Sequence, residues 1–328
     1  MKSVLSSKRF KVLTTLLAVL MALSFCACAV TTDPSGDPTA EPAGPTDSPT
    51  AAPVEEDPSQ IPKVEASEQF SEFDTTIAYI PDECTKIELK QDGTVVTGQG
   101  ATVSGNTVTI KTAGSYLISG TLTDGQIAVN VEKTEKVRLI LNGVSVTNTK
   151  TACIYVMSAD KVGITLVRGT ENVFTDAKKY TEIDEKGNPN ACIFSKDDLT
   201  INGYGSLTVN GNYNNGIGCK NDLAIVTGTI TVKAPNNAVK AKDSFRMHDG
   251  VLTVKSDDDA IKIDGEDDVA KGFIFIEGGA LNLTAVDDAL TATYNITITG
   301  GLITTYAGGK SVNCNGKVSI AKGSLVEK

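Results

Sequence analysis

Residues 196–219 read KDDLTINGYGSLTVNGNYNNGIGC, residues 220–241 read KNDLAIVTGTITVKAPNNAVKA, and residues 242–263 read KDSFRMHDGVLTVKSDDDAIKI. The pattern continues with KGFIFIEGGALNLTAVDDALTA from Lys271, TYNITITGGLITTYAGGKSVNC from Thr293 and NGKVSIAKGSLVEK from Asn315. Unit starts at 196, 220, 242, 271, 293 and 315 are 22 or 24 residues apart, except where DGEDDVA (264–270) lengthens one unit to 29. A fixed period of this size marks a solenoid. Within a unit, short alternating stretches such as Leu223/Ile225, Ile230/Val232 and Val239/Ala241 are separated by Gly, Asn or Asp. Period-two alternation predicts strands with one buried face. Gly, Thr and β-branched residues leave no helix-forming half, which excludes a leucine-rich repeat. The fold class is therefore all-β, a right-handed single-stranded parallel β-helix with about 22 residues per turn.

Working outward, looser units begin near Val137 (VRLILNGVSVTNTKTACIYV) and Lys161, the latter with an insertion before Asn190. Alignment gives one inward column, Cys153, Cys192, Ile217, Val239, Ile261, Leu290 and Val312. A second column follows two residues on: Tyr155, Phe194, Cys219, Ala241, Ile263, Ala292 and Cys314. Cysteine in such columns acts as a small hydrophobe. Residues 64–136 alternate strongly but lack the 22-residue register, so they are expected to form a β-rich N-terminal cap over a solenoid spanning 137–328. The last unit has no visible capping helix, which leaves association with another molecule through that rung open.

The chain begins with basic residues and an apolar stretch, VLTTLLAVLMALSF (12–25), the pattern of a secretory signal. Ala27-Cys28-Ala29 fits a small-x-small cleavage site, and Phe25-Cys26-Ala27-Cys28 resembles a lipobox with Cys28 acylated; both readings stand. Residues 1–28 are thus a signal peptide or lipobox. Residues 29–63 hold eight prolines and many carboxylates and read as an extended spacer. The expected location is the cell exterior or surface, with membrane contact only through a lipid anchor. Removing the four basic residues before the apolar stretch takes the net charge from −10 to about −14, which argues against a nucleic-acid partner. With one histidine, His248, a histidine-based metal centre or a Ser/His/Asp triad is excluded as a working hypothesis.

The sharpest compositional feature is SDDDAIKIDGEDD (256–268), with Asp257, Asp258, Asp259, Asp264, Glu266, Asp267 and Asp268 against a single Lys262. Clustered carboxylates repel unless a cation joins them, and hard oxygen donors on flexible corners suit Ca²⁺. Asn214-Asn215, Asn236-Asn237, Asp258-Asp259 and Asp287-Asp288 recur at one rung position, so they are expected to stack as an oxygen-rich ladder. Asn and Asp also shape turns, and for the four asparagines both readings stand. Asp197, Asp198 and Asp243 form a second register beside Lys196 and Lys242, suited to a corner site or to ion pairs. Arg246, next to the acidic rungs, is the candidate arginine base of a lyase, although no carboxylate pair stands out as an acid and base. Tyr204, Tyr213, Tyr294 and Tyr306 are candidate stacking residues for an extended polysaccharide, though without Trp the aromatic contribution is limited.

The runs DKVGITLVRGTENVFTDAKKY from Asp160, NPNACIFSKDDLTINGYGSLTVNGNYNNGI and KDSFRMHDGVLTVKSDDDAIKIDG from Lys242 resemble the clostridial carbohydrate-binding β-helix family. The resemblance covers residues 74 to about 314 and implies a pectate-lyase-like fold, bound calcium, an extracellular location and affinity for cellulose-like or acidic, pectin-like polysaccharides without established catalysis. It carries over onto Asp197, Asp198, Lys242, Asp243, Asp259, Lys262, Asp264 and Asp288. The chain departs from the family pattern in having Ala238, Ala260 and Ala289 where Gly is frequent, and Lys220-Asn221 where Lys-Asp would recur. Each Asn in place of Asp removes a charge and weakens a calcium site there. The leading expectation is a non-catalytic, calcium-binding carbohydrate-binding protein; the alternatives are a lyase and a structural or adhesive surface protein.

Overall fold

The computed structural model describes residues 57–265, 268 and 270–328. The leader, Cys28, most of the spacer, Glu266 and Asp267 lie outside them. The described chain is a right-handed parallel β-helix whose rungs supply strands to three ladders. The first runs through Lys161–Leu166, Asp198–Gly203, Asp222–Ile225, Ser244–Met247, Phe273–Ile276, Asn295–Ile298 and Val318–Ile320. The second runs through Glu171–Thr175, Ser206–Asn210, Thr229–Ala234, Val251–Ser256, Ala280–Ala285, Leu302–Ala307 and Leu325–Glu327. The third is a ten-stranded sheet that includes Ile154–Ser158, Ala191–Ser195, Asn215–Cys219, Val239–Ala241, Ile261–Ile263, Leu290–Ala292 and Val312–Cys314. Parallel strands of this kind lie about 4.8 Å apart, so residues in equal register form vertical columns.

In the third ladder Ile217, Val239, Ile261, Leu290 and Val312 pair in register, as do Cys219, Ala241, Ile263, Ala292 and Cys314. Both columns face the core. Burying one large aliphatic side chain there contributes about 1.5–3 kcal/mol. The two earliest rungs correct the sequence alignment by one residue. Ile193, not Cys192, pairs with Ile217 and with Ile154, and Ser195 pairs with Cys219 and Val156. Cys153 and Cys192 are still fully buried, Cys153 just before its strand and Cys192 one residue ahead of the inward Ile193 within its own. Tyr155 and Phe194 belong to the opposite, outward face, in register with Gly218. The physical reason is parity: a one-residue slip exchanges the two faces of a strand, and the insertion before Asn190 hides the slip. All five described cysteines are free thiols.

The parallel ladders begin earlier than the 22-residue register. Thr85–Leu89 pairs in parallel with Gly114–Leu122, which pairs with Lys136–Thr147, while Gln126–Asn130 pairs with Ile154–Ser158. The region expected as a separate cap is thus largely solenoid. Its rungs escape the period because their strands are long and two of the pairings shift register partway. Among the described residues antiparallel pairing is confined to Val95–Thr97 against Thr85–Leu89 and Ala101–Ser104 against Thr107–Ile110.

Residues 64–76 cross the outside of the first ladder as an arm. Asp74 is its buried anchor: it accepts the Lys161 ammonium at 3.1 Å, the Thr200 hydroxyl, and the Ser71 amide and hydroxyl at 2.8 and 2.7 Å. Arg138 donates to the carbonyls of Phe73 (3.0 Å) and Thr76 (2.7 Å), with its guanidinium 4.4 Å from the Phe73 ring centroid. Gly163 makes room for that ring, since a Cβ there would sit 3.1 Å from Phe73 Cε1. Further along, Phe70 packs on Ala224 and Val226, and Glu277 accepts the Ser67 amide at 3.2 Å. Residues 57–63, read from composition as the end of the spacer, lie beside the arm: Lys63 Nζ is 4.0 Å from Glu72 Oε1, and Tyr79 N, just past the arm, donates to Pro58 O.

Candidate functional site

The corner that leads into the third ladder carries the Asn/Asp register, and the structure stacks it. Asn236 N donates to Asn214 O, Asp287 N to Asp258 O, and Ala260 N to Asp288 O. Side chains stack as well. Asn236 Nδ2 donates to Asn214 Oδ1 at 2.6 Å and Asn237 Nδ2 to Asn215 Oδ1 at 3.1 Å. Each of these amides donates to the rung before it and leaves its oxygen for the rung after. Stacked amides can satisfy one another because each has both a donor and an acceptor; a carboxylate has only acceptors. The change from Asn to Asp occurs between Asn237 and Asp259. There Asn237 Oδ1 is buried without a hydrogen-bond partner.

Below that break, carboxylate oxygens of Asp258, Asp259 and Asp287 lie within 4.8 Å of one another. Asp259 is buried, Asp258 half-buried and Asp287 exposed. The Asp287 pKa is raised, first by the charge of Asp288, then by desolvation and the fields of Asp259 and Asp258. Gly309 leaves the next rung open: a Cβ there would fall 2.4 Å from Asp288 Oδ1 and 2.7 Å from Asp287 Oδ1. Converging hard oxygens, an orphaned amide oxygen and a cleared space together fit a divalent cation. Among the described residues the ammonium paired with this trio is that of Lys262, whose Nζ lies 2.7 Å from Asp259 Oδ2.

The same strands supply an outward row. Ile217/Cys219, Val239/Ala241 and Ile261/Ile263 point inward, so Gly218, Lys240 and Lys262 between them point out. Asn190, Phe194, Gly218, Lys220, Lys240, Lys242 and Asp264 line a groove over this row. Lys220 lies 6.0 Å from the Phe194 ring centroid and Lys196 5.4 Å from that of Tyr155. At the upper end Tyr180 stacks on Tyr213 at 4.1 Å and packs with Phe194. Tyr180 donates to the buried Asp176 at 2.6 Å. Burial pushes the Asp176 pKa up to about 6 despite hydrogen bonds from Tyr180 and the Asn212 amide. Sequence reasoning missed Lys220, Lys240 and Tyr155 as surface residues and Phe194 as the buried ring beneath Lys220; the correct strand parity points to them.

The remaining candidates disperse. Asp288 is satisfied by Lys310 N and Asn313 Nδ2, both at 2.6 Å. Asp257 is exposed at the corner, and Asp268 caps a turn by accepting Ala270 N at 2.9 Å. Asp264 pairs with Lys240 at 3.0 Å. Asp197 pairs with Lys133 and accepts Ala159 N, and Asp243 pairs with Lys271 at 2.8 Å. Asp198 lies 3.8 Å from Lys161; burial and the neighbouring Asp222 raise its pKa. These three serve ion pairs rather than the acidic trio. Of the four candidate tyrosines, only Tyr213 reaches the third face. Tyr204 stacks under Arg168 at 4.5 Å, Tyr306 lies on the second ladder, and Tyr294 follows a third-ladder strand at the turn beside Gly272. Arg246 lies under the arm, donating to Gln69 O at 2.9 Å and pairing with Asp222 at 2.8 Å. The first ladder, not the acidic corner, holds it.

With this geometry in place, comparison with known proteins defines the class. Residues 104–325 match the family described as carbohydrate-binding domain-containing protein. The chain belongs to that family. A relative of that description from Acetivibrio thermocellus is 52% identical over 227 residues, which is 69% of this chain and 79% of the relative. A solved structure, described as the polysaccharide lyase-like protein from C. thermocellum in a gadolinium derivative, superposes with a TM-score of 0.73. It is 42% identical, over 75% of this chain and 99% of that one.

Proposed function

We propose that this chain is a surface-displayed, non-catalytic polysaccharide-binding module that uses Ca²⁺ and the third face of its solenoid to hold an acidic, pectin-like glycan. The observation that carries the reading is the adjacency of two sites on the same rungs: the trio Asp258, Asp259 and Asp287 at the corner and the Lys220/Lys240/Lys242/Lys262 surface beside it. Asp258, Asp259, Asp287 and Asn237 Oδ1 would hold the ion, and the ion supplies positive charge that attracts uronate carboxylates. Lysine ammoniums bind carboxylates as point charges, Tyr155 adds apolar surface for sugar rings, and the buried Phe194 ring backs Lys220. Cellulose-like chains offer no carboxylate and would use only that apolar surface. The engagement of Arg246 with Gln69 and Asp222 supports binding over lyase chemistry. The apolar leader, the acylatable Cys28 and the proline-rich spacer support display outside the cell on a lipid tether.

Pull-down and titration against polygalacturonate and cellulose, with calcium and then with EDTA, test this reading, with unsaturated-product absorbance followed in the same samples. Polygalacturonate retained in calcium, released by EDTA and left uncut is the expected result. Accumulating unsaturated product would overturn it, and so would absent retention by folded protein.

A further inference from the structure

Resting on the calcium reading above, we propose that Lys262 is a counter-ion switch that couples the cation site to the glycan site. In the present structure its ammonium occupies Asp259 Oδ2 at 2.7 Å, one of the three carboxylates that converge at the corner. Lys262 therefore does for Asp259 what a divalent ion would do for all three. The two compete for the site, because an ammonium and a dication on one carboxylate repel each other. A bound cation displaces Lys262. Its backbone position is fixed between Ile261 and Ile263, whose side chains face the core, so the released side chain has only the outward face to occupy. There it joins the column that contains Lys240, one rung up. Asp264, two residues along the chain, already pairs with Lys240 at 3.0 Å. The freed ammonium is then available to a sugar carboxylate.

The coupling has a definite sign. Calcium raises affinity for a uronate chain, and by linkage the chain raises affinity for calcium by the same factor. The mechanism differs from simple bridging, in which the ion itself joins carboxylates of protein and glycan and Lys262 is a bystander. It also gives the Asn-to-Asp change a purpose: the asparagine side chains above donate to one another, whereas Asp259 needs a positive partner and can take either of two.

The test uses the folded chain, calcium alone and trigalacturonate as probes, and calorimetry in each order of addition. In the wild type, saturating calcium is expected to tighten trigalacturonate binding about fivefold or more, within the usual range of coupling between sites. In Lys262→Met, calcium binds at least as tightly as in the wild type, but its effect on trigalacturonate disappears. Asp259→Asn keeps the oxygen that accepts the Asp288 amide at 3.0 Å yet cannot pair with an ammonium. This variant is expected to bind trigalacturonate without calcium about as well as the calcium-loaded wild type. A calcium effect that survives intact in Lys262→Met, or calcium-free Asp259→Asn that binds no better than calcium-free wild type, overturns the switch and favours bridging. Wild type that takes up no calcium overturns the metal reading and the switch together. Calcium and sugar that bind independently overturn the switch alone.

Discussion

Replacing Asp74 by Ala should loosen the N-terminal arm and cost a large fraction of the molecule's stability. The side chain is 2% exposed, and its principal partner, Lys161, is 13% exposed. Removing one member of a buried pair costs about 3–5 kcal/mol, mainly because the other charge is left without compensation. Asp198 lies 3.8 Å from Lys161 and offers a substitute, which places the expectation at the lower end, about 3 kcal/mol. The lost capping box of Ser71 and the lost Thr200 contact act in the same direction. Two readouts follow: the urea midpoint of the full chain and the rate of proteolytic cleavage within residues 64–76. A lower midpoint with faster cleavage of the arm is expected, and the double variant Asp74→Ala/Lys161→Met should recover much of the loss by removing the stranded charge. The pH dependence has a fixed sign. Burial works to raise the Asp74 pKa, but Lys161 and the donors from Thr200 and Ser71 outweigh it and hold the carboxyl below its ordinary range. A depressed folded-state pKa gives stability that is present above the unfolded value near 3.8 and fades as the pH falls through the folded value. The difference between wild type and variant should therefore shrink in strong acid. A loss under about 1 kcal/mol at neutral pH, with the arm still protected, would refute the anchoring role.

Other expectations can be checked alongside. Asp176 is the opposite case: its folded pKa of about 6 lies above 3.8, so its ionisation opposes folding increasingly as the pH rises through that window. Asp176→Asn should stabilise the chain at pH 7.5 by at most about 3 kcal/mol and have little effect near pH 3.5, read by thermal unfolding at the two pH values. Lys240→Ala should weaken trigalacturonate binding about fivefold by calorimetry yet shift the unfolding midpoint little, since its partner Asp264 is partly exposed. Gly163→Val should displace the Phe73 ring and speed cleavage of the arm, because even a Cβ approaches that ring to 3.1 Å. Phe194→Ala should cost about 3–5 kcal/mol as a buried aromatic deletion and should also weaken glycan binding, measured by urea unfolding and calorimetry.

The repeat and its corners were legible because each rung repeats the same physical demand. Leu223, Phe245, Ile274 and Ile296 recur in register as buried residues, and Asn236, Asp258 and Asp287 recur at the turn. The parity of the earliest rungs was not legible. Cys153 and Cys192 are apolar and buried, so the pattern gives no sign that the strand register runs one residue later. That slip concealed Phe194 as a groove residue and Tyr155 as its neighbour on the same outward face. The arm was equally hidden, because its contacts join Asp74 to Thr200 and Ser67 to Glu277 across more than a hundred residues with no repeat to announce them. This is also why Arg246 read as a candidate base: only the fold reveals that Gln69 and Asp222 already engage it. Among the acidic residues, composition identified the cluster, but only backbone geometry separated the converging trio from Asp264 and Asp288, which have partners of their own.

The most direct measurement is the anomalous difference density of crystals grown with a lanthanide in place of calcium. A peak bounded by the carboxylates of Asp258, Asp259 and Asp287, absent in Asp258→Asn/Asp287→Asn, is the expected result. Ions found only at other carboxylates, with Lys262 still seated on Asp259, would contradict a cation site at this corner.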